Sequence, residues 1–327
     1  MRERIKFKRK GLHISMPGLV TASFLDQVTK AQPRAEREND LPTQRLQVNG
    51  TELHYFEFGR GEPVIFVHGT TGDYRTWAGQ FEAFSANHRV ISYSRRYHYP
   101  NVWNGDGSDY NLGLHTDDLA AFIQALGLGA AHLVGVSSGA SIAAKLASFH
   151  PRLARTLVLD EPEWAPWSIE LGTGEFVRQW REEVEIPAAA ALAAGEDDKA
   201  LRLFYDAVMG PGTYDQFSPE HRARIHDNLP ELKAELQCGE RFYSPFSFDD
   251  ARNIKAPTLL VEGTNSLPVF ALLADKLTQC VPNIERAIIE GAPHATSVMA
   301  PDQFNEAALA FLGRHRIDDQ YAIRAMD

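Results

Sequence analysis

Ser137 stands in Gly135-Val136-Ser137-Ser138-Gly139, directly after the apolar run Ala131-His132-Leu133-Val134 and directly before the helix-forming run Ala140 to Ser148. A serine at so sharp a strand-to-helix turn takes a strained backbone. Side chains two residues to either side would collide, and glycine removes the collision. The chemistry such a residue serves is attack of a hydroxyl on an electrophilic carbon. A serine hydroxyl has little nucleophilicity at neutral pH until an imidazole takes its proton. The chain must therefore also supply a base, an acid to orient that base, and donors for the negative charge that develops on a carbonyl oxygen. Of the twelve histidines, His54, His88, His150, His221, His226 and His315 read as surface or helix-end residues. His98 and His294 lie in loops just beyond strands, where a pocket would open.

The elements that must position these residues alternate along the chain. Arg45 to Val48 and Glu52 to Phe58 read as a hairpin around Asn49-Gly50, a favoured two-residue turn. Short apolar runs at Val64 to Val67, Arg89 to Tyr93, Ala131 to Val134, Thr156 to Leu159, Thr258 to Val261 and Ala287 to Ile289 read as strands. Helical spacing is found at Thr76 to Phe84, Leu114 to Leu126, Val269 to Thr278 and Pro301 to Gly313. Strands interleaved with helices predict an α/β fold: a mostly parallel sheet of about eight strands covered on both faces, with the hairpin as an antiparallel edge. Between Trp164 and Phe248 the strand signals vanish. Thr173 to Glu185, Pro187 to Ala194, Asp197 to Val208 and Pro219 to Gln237 read as helices. A helical insertion over residues 163–248 would cover the carboxyl ends of the strands and act as a lid.

The 327 residues, 44% of them hydrophobic, can bury a full core. A formal net charge of −10 argues against nucleic-acid binding and for a small-molecule partner. Cys238 and Cys280 lack metal-ligand spacing and read as reduced structural residues. No apolar run approaches the roughly 20 residues of a membrane span. Residues 1–43 read as an N-terminal extension with a basic head (Arg2, Arg4, Lys6, Lys8, Arg9 and Lys10), and Gln32 to Asp40 as a linker. Because His13, Ser15, Pro17 and Thr21 interrupt the apolar stretch Met16 to Leu25, a secretory signal is disfavoured and a cytoplasmic location expected.

With its pieces in this order the chain resembles the α/β-hydrolase fold superfamily over about residues 44–314. His68-Gly69-Thr70-Thr71-Gly72, after the strand Val64 to Val67, matches the H-G-x-x-G loop of that family, and the resemblance implies Thr70 and Ser138 amides as the oxyanion hole. Gly291-Ala292-Pro293-His294 matches its G-x-x-H motif and implies His294 as the base. The acid departs from the common pattern, since Gly263-Thr264-Asn265-Ser266 puts Ser266 where relatives carry aspartate. Leu159-Asp160-Glu161-Pro162 offers two carboxylates that alternate along a strand end, so only one can meet His294. Glu161 is preferred, because a glutamate-proline ending is seen in relatives that also lack the usual aspartate.

Where relatives read Asp-x-Arg-Gly-x-Gly, this chain has Ser94-Arg95-Arg96-Tyr97-His98-Tyr99-Pro100, with Arg96 at the family arginine. The expected pocket residues are Asp73, Tyr74, Trp77, His98 and Trp164, with Tyr97, Tyr99 and Trp103 as a further wall. In the insertion, Trp167, Phe176, Trp180, Phe204 and Tyr205 suggest an apolar or aromatic moiety. The resemblance implies a serine hydrolase for a small ester or lactone, needing no metal and no cofactor. Carbon–carbon bond hydrolysis, perhydrolysis and a small-molecule receptor are alternatives on the same scaffold. A homodimer through the lid is a further expectation.

Overall fold

Asn49 and Gly50 both adopt positive φ, 44° and 75°, the pairing a tight hairpin turn requires. They join strand β3 (Gln44–Val48) to β4 (Thr51–Phe58) in an antiparallel pair. The computed structural model describes residues 6–9, 12–15, 42–103 and 107–316. The expected linker at Gln32 to Asp40 lies outside the described residues. Within the expected extension, β1 (Lys6–Arg9) and β2 (Leu12–Ser15) form a small antiparallel ribbon.

The remaining strands are β5 (Glu62–Val67), β6 (His88–Tyr93), β7 (Ala131–Val136), β8 (Ala154–Asp160), β9 (Thr258–Gly263) and β10 (Ile284–Ile289). They order as β10-β9-β8-β7-β5-β6-β4-β3. All pairs from β6 to β10 are parallel, and the β3–β4 hairpin adds the antiparallel edge.

Side-chain alternation sets the two layers. Along β5, Ile65 and Val67 enter one apolar cluster while Val64 and Phe66 enter the other. Helices Leu112–Ala125, Ser138–Phe149 and Pro268–Cys280 cover the first face, and Ala78–Ser85 and Pro301–Gly313 the second. On that second face Phe66 stacks on Trp77 at 4.6 Å, and both are fully buried. Each such side chain contributes roughly 1.5–3 kcal/mol of burial.

Between β8 and β9 come Gly174–Trp180, Ile186–Ala193, Asp197–Met209, Pro219–Asp227 and Leu229–Cys238. The spacing suggested one helix over Pro219 to Gln237, yet the chain breaks at Asn228. Pro230 has no N–H to continue the ladder. The Asn228 amide instead donates to Asp73 at 2.7 Å and accepts the Tyr99 N–H at 2.8 Å, tying the block to the core. Leu192, Leu201, Tyr214, Ile225 and Leu232 give the block its own apolar centre, which Met299 of the core joins. Cys238 and Cys280 are free and buried. Among the described residues no helix is long and apolar enough to cross a membrane.

Candidate active site

β7 delivers Ser137 to the turn in a left-handed backbone conformation, φ 53° and ψ −124°. The glycines around it are required by close backbone approach. A Cβ on Gly135 would lie 2.5 Å from the Gly139 carbonyl oxygen, and one on Gly139 would lie 2.2 Å from that of Val67. The turn is held from the neighbouring strand: the Ser137 N–H donates to the Asp160 carbonyl at 2.9 Å, and the Ser137 carbonyl accepts from Glu163 N–H at 3.3 Å.

The two carboxylates at the end of β8 part as alternation requires. Glu161, at φ 44°, turns Oε2 to accept from His294 Nδ1 at 2.8 Å, while its Oε1 accepts the Gly263 N–H at 2.9 Å. Asp160 faces the other way and accepts from Thr296 Oγ1 at 2.7 Å, Ser297 N–H at 2.8 Å and Thr296 N–H at 3.2 Å. Burial, with the Glu161 charge beside it, pushes the Asp160 carboxyl up to about 6. Asp160 thus anchors the segment just after His294. His294 also stacks on Phe270 at 4.4 Å between centroids. With its proton on Nδ1 toward Glu161, the imidazole keeps an Nε2 lone pair, and His294 and Ser137 line one cavity.

The loop after β5 carries the second half of the site. Ser138 opens the helix Ser138–Phe149, whose first N–H groups have no intrahelical acceptor. Thr70 Oγ1 lies 3.4 Å from Ser138 Oγ and donates to Glu235 Oε2 at 3.0 Å. Arg95, only 1% exposed, fixes this loop from behind. Its N–H donates to His68 Nε2 at 2.9 Å, and one guanidinium nitrogen donates to the Gly69 carbonyl at 3.0 Å and approaches Ser138 Oγ at 3.4 Å. Burial, then the Arg95 charge, holds His68, His98 and His115 well below the usual imidazole range, so all three are neutral.

Residues 62–299 match the family model described as the alpha/beta hydrolase fold. The chain belongs to the α/β-hydrolase family. This α/β-hydrolase is 24% identical over 272 residues to an (E)-2-((N-methylformamido)methylene)succinate hydrolase of Acinetobacter baylyi, a match covering 81% of this chain and 95% of that one. To a non-heme chloroperoxidase of Kitasatospora aureofaciens it is 26% identical over 282 residues, 81% and 98% of the two chains. Its fold superposes on the enol-lactonase of Burkholderia xenovorans with a TM-score of 0.66 at 21% identity, covering 83% and 100%. The protein is an enzyme of hydrolase type.

The hydrolase cavity, about 960 Å³, does not hold every residue expected of it. Asp73 and Trp164 line it, but Tyr74 and Trp77 do not. In the single turn Tyr74–Trp77 it is Arg75 and Thr76 that face the cavity, while Tyr74 and Trp77 point into the core. His98 is fully buried beneath the loop, its Nδ1 2.8 Å from the Gly72 carbonyl, and does not reach the cavity. Tyr97, Tyr99 and Trp103 are likewise not part of the lining. Tyr97 packs on Trp103 at 4.2 Å, and Tyr99 lies under the Arg75 guanidinium at 4.1 Å. Arg96 pairs with Asp118 at 2.7 Å, a structural bond. From the helical block, Trp180, Phe204 and Tyr205 line the cavity, whereas Trp167 and Phe176 belong to the core.

His221, read as a surface residue, lines the cavity, and burial pushes it down to about 3. His88 is buried in the core, its Nδ1 3.1 Å from the Phe84 carbonyl. Glu163, Glu235 and Arg95 were not expected at the site. The one sequence signal was Glu231 and Glu235, a like-charged pair one turn apart in a helix, which is unfavourable unless something is gained elsewhere.

Proposed function

We propose that this hydrolase cleaves a carboxylic ester or lactone through an acyl-enzyme. The reading rests above all on the His294 Nδ1–Glu161 Oε2 bond at 2.8 Å, with His294 and Ser137 in one cavity. Ser137 Oγ gives its proton to His294 Nε2 as the oxygen attacks the carbonyl carbon, and Glu161 stabilises the imidazolium. The negative oxygen of the tetrahedral intermediate takes hydrogen bonds from the Thr70 and Ser138 amides. On collapse the carbon–oxygen bond to the leaving group breaks, and the imidazolium protonates that oxygen. Water, deprotonated by the same histidine, then releases the acid.

The apolar lining of Trp164, Trp180, Phe204 and Phe270 favours a substrate with an apolar or aromatic part, and the block over residues 163–248 acts as a lid on it. The test is a short-chain p-nitrophenyl ester with intact-mass detection. Wild type is expected to turn over and to carry a transient acyl adduct that Ser137→Ala lacks. Equal rates for the two proteins would remove Ser137 as the nucleophile. Peroxide and acetate, or a vinylogous diketone, offered to the same pair of proteins separate perhydrolysis and carbon–carbon hydrolysis from the ester reading.

A further inference from the structure

The inner wall of the cavity holds carboxyl groups that the hydrolytic steps do not use. Glu163 stands two residues after Glu161, its N–H bonded to the carbonyl of Ser137. Its side chain lines the cavity beside Glu185 and the Tyr243 hydroxyl, which bonds the carboxyl group, while its Oε2 is sealed from solvent with no hydrogen-bond partner. Glu235, 8% exposed, lines the cavity on the side of Thr70. Glu231 serves differently: fully buried, it accepts the Thr71 N–H at 2.8 Å and the Tyr110 hydroxyl, and so anchors the loop. Arg95 is the cation that opposes all three; its Nη2 is shared between the Gly69 carbonyl and Ser138 Oγ, and its Nη1 is buried with no hydrogen-bond partner of its own. Burial, then the neighbouring carboxylates, pushes Glu163 up to about 8 and Glu235 well above the usual range.

A buried carboxylate oxygen without a donor is unfavourable by itself, so its presence in a substrate cavity calls for a donor from the ligand. The surroundings of Glu163 narrow the choice. Trp164, Trp180 and Phe204 line the same cavity. Trp164 meets Trp180 edge to face at 5.5 Å, and Trp180 meets Phe204 at 6.5 Å. Aromatic faces carry negative potential, and Glu163, which burial keeps protonated near neutral pH, becomes a carboxylate when a cation settles beside it, so the complement common to both is a cation bearing N–H. A hydroxyl would serve the oxygen but gain nothing from the rings, and an anion would meet like charge.

We propose that the substrate carries a protonated amine, seated between Glu163 and the aromatic wall of Trp164, Trp180 and Phe204. This rests on the ester reading above and names its substrate class: esters of amino alcohols or of amine-bearing acids.

Two matched pairs test it. Wild type is given 2-(dimethylamino)ethyl butyrate and its neutral isostere 3-methylbutyl butyrate. Ser137→Ala is titrated by calorimetry with N,N-dimethylethanolamine and with 3-methylbutan-1-ol. At neutral pH the amine of each pair is expected to win by at least about tenfold, in kcat/KM and in Kd respectively. Glu163→Gln is expected to bring both ratios toward parity, with the neutral ester as the internal measure of triad damage. Amine binding no tighter than alcohol binding overturns the inference, whatever the esters do. Tight amine binding with neither ester cleaved supports it and overturns the ester reading instead.

Discussion

Replacing Glu161 by glutamine keeps its shape and removes one acceptor. In the native arrangement both oxygens accept, Oε1 from the Gly263 N–H and Oε2 from His294 Nδ1. Glutamine has one acceptor and one donor at these places. If its carbonyl stays with Gly263, its NH₂ faces Nδ1 and drives His294 to the opposite tautomer, with a proton on Nε2 where a lone pair is needed. In a serine triad that arrangement costs about 10⁴-fold in kcat. If the amide flips, its carbonyl keeps the productive tautomer, but the NH₂ is buried against the Gly263 N–H at about 1–3 kcal/mol. The imidazolium then bonds a neutral carbonyl in place of a carboxylate, a loss of about 1–1.5 kcal/mol. The flipped route thus loses about 2–4.5 kcal/mol, roughly 30- to 2,000-fold at 1.36 kcal/mol per decade.

Glu161→Gln is therefore expected to lose between about 30-fold and 10⁴-fold in kcat/KM on a p-nitrophenyl ester, with circular dichroism unchanged. A loss below threefold in a folded variant would refute the role of Glu161 and the reasoning that derived it.

Three further perturbations follow from the same geometry. Asp160→Asn removes one acceptor from the three bonds that hold Thr296 and Ser297, so denaturant unfolding should show a loss of about 1–3 kcal/mol. Its kcat/KM should fall less than that of Glu161→Gln, and the reverse order would exchange the roles of the two residues. Gly139→Ala places a methyl 2.2 Å and 2.4 Å from the carbonyl oxygens of Val67 and His68, contacts that backbone cannot yield cheaply. It should give insoluble protein or a strongly lowered Tm, and a wild-type melt would contradict the close approach.

Glu163 titrates near 4.5 when unfolded and about 8 when folded, so the fold retains a proton that the unfolded chain has lost. Its contribution to stability is present below about 4.5 and is lost as pH rises through about 8. Melting curves from pH 5 to pH 9 should therefore fall more gently for Glu163→Gln than for wild type, and parallel curves would place the group in solvent.

The parts of the site legible in the sequence were those with local causes. The elbow glycines answer a backbone collision within five residues, and the hairpin turn at Asn49-Gly50 answers a positive-φ requirement. The parting of Asp160 from Glu161 followed from strand alternation, although which of them met His294 depended on where the loop after β10 returned. Tyr74 and Trp77 were misplaced because a single tight turn gives no periodicity to set its phase, and Arg75 and Thr76 took the cavity side. His98 stood out by chemical type, but only tertiary packing decides whether a loop imidazole opens to a cavity or closes beneath a neighbouring loop. Glu163 and Glu235 sit in a helical region whose polar residues look solvated until the block is folded onto the strands.

The placement of the proposed triad acid just past the end of β8 has a bearing on how this enzyme can be re-engineered. Since Glu161 and Asp160 grip His294 and the residues after it from one strand end, the turn at Thr264 to Ser266 carries no acidic side chain for the triad. That turn still holds the loop before His294, since Thr264 Oγ1 accepts the Gly291 N–H at 2.8 Å and Asn265 donates to the Gly291 and Ala292 carbonyls at 2.8 and 2.9 Å, so Thr264 and Asn265 must be kept even though no acid is needed there. The block that shapes the substrate cavity has its root two residues past Glu161. A chimaera that imports another such block must leave the native chain through Glu163 intact, or a change of specificity will be read as a loss of catalysis.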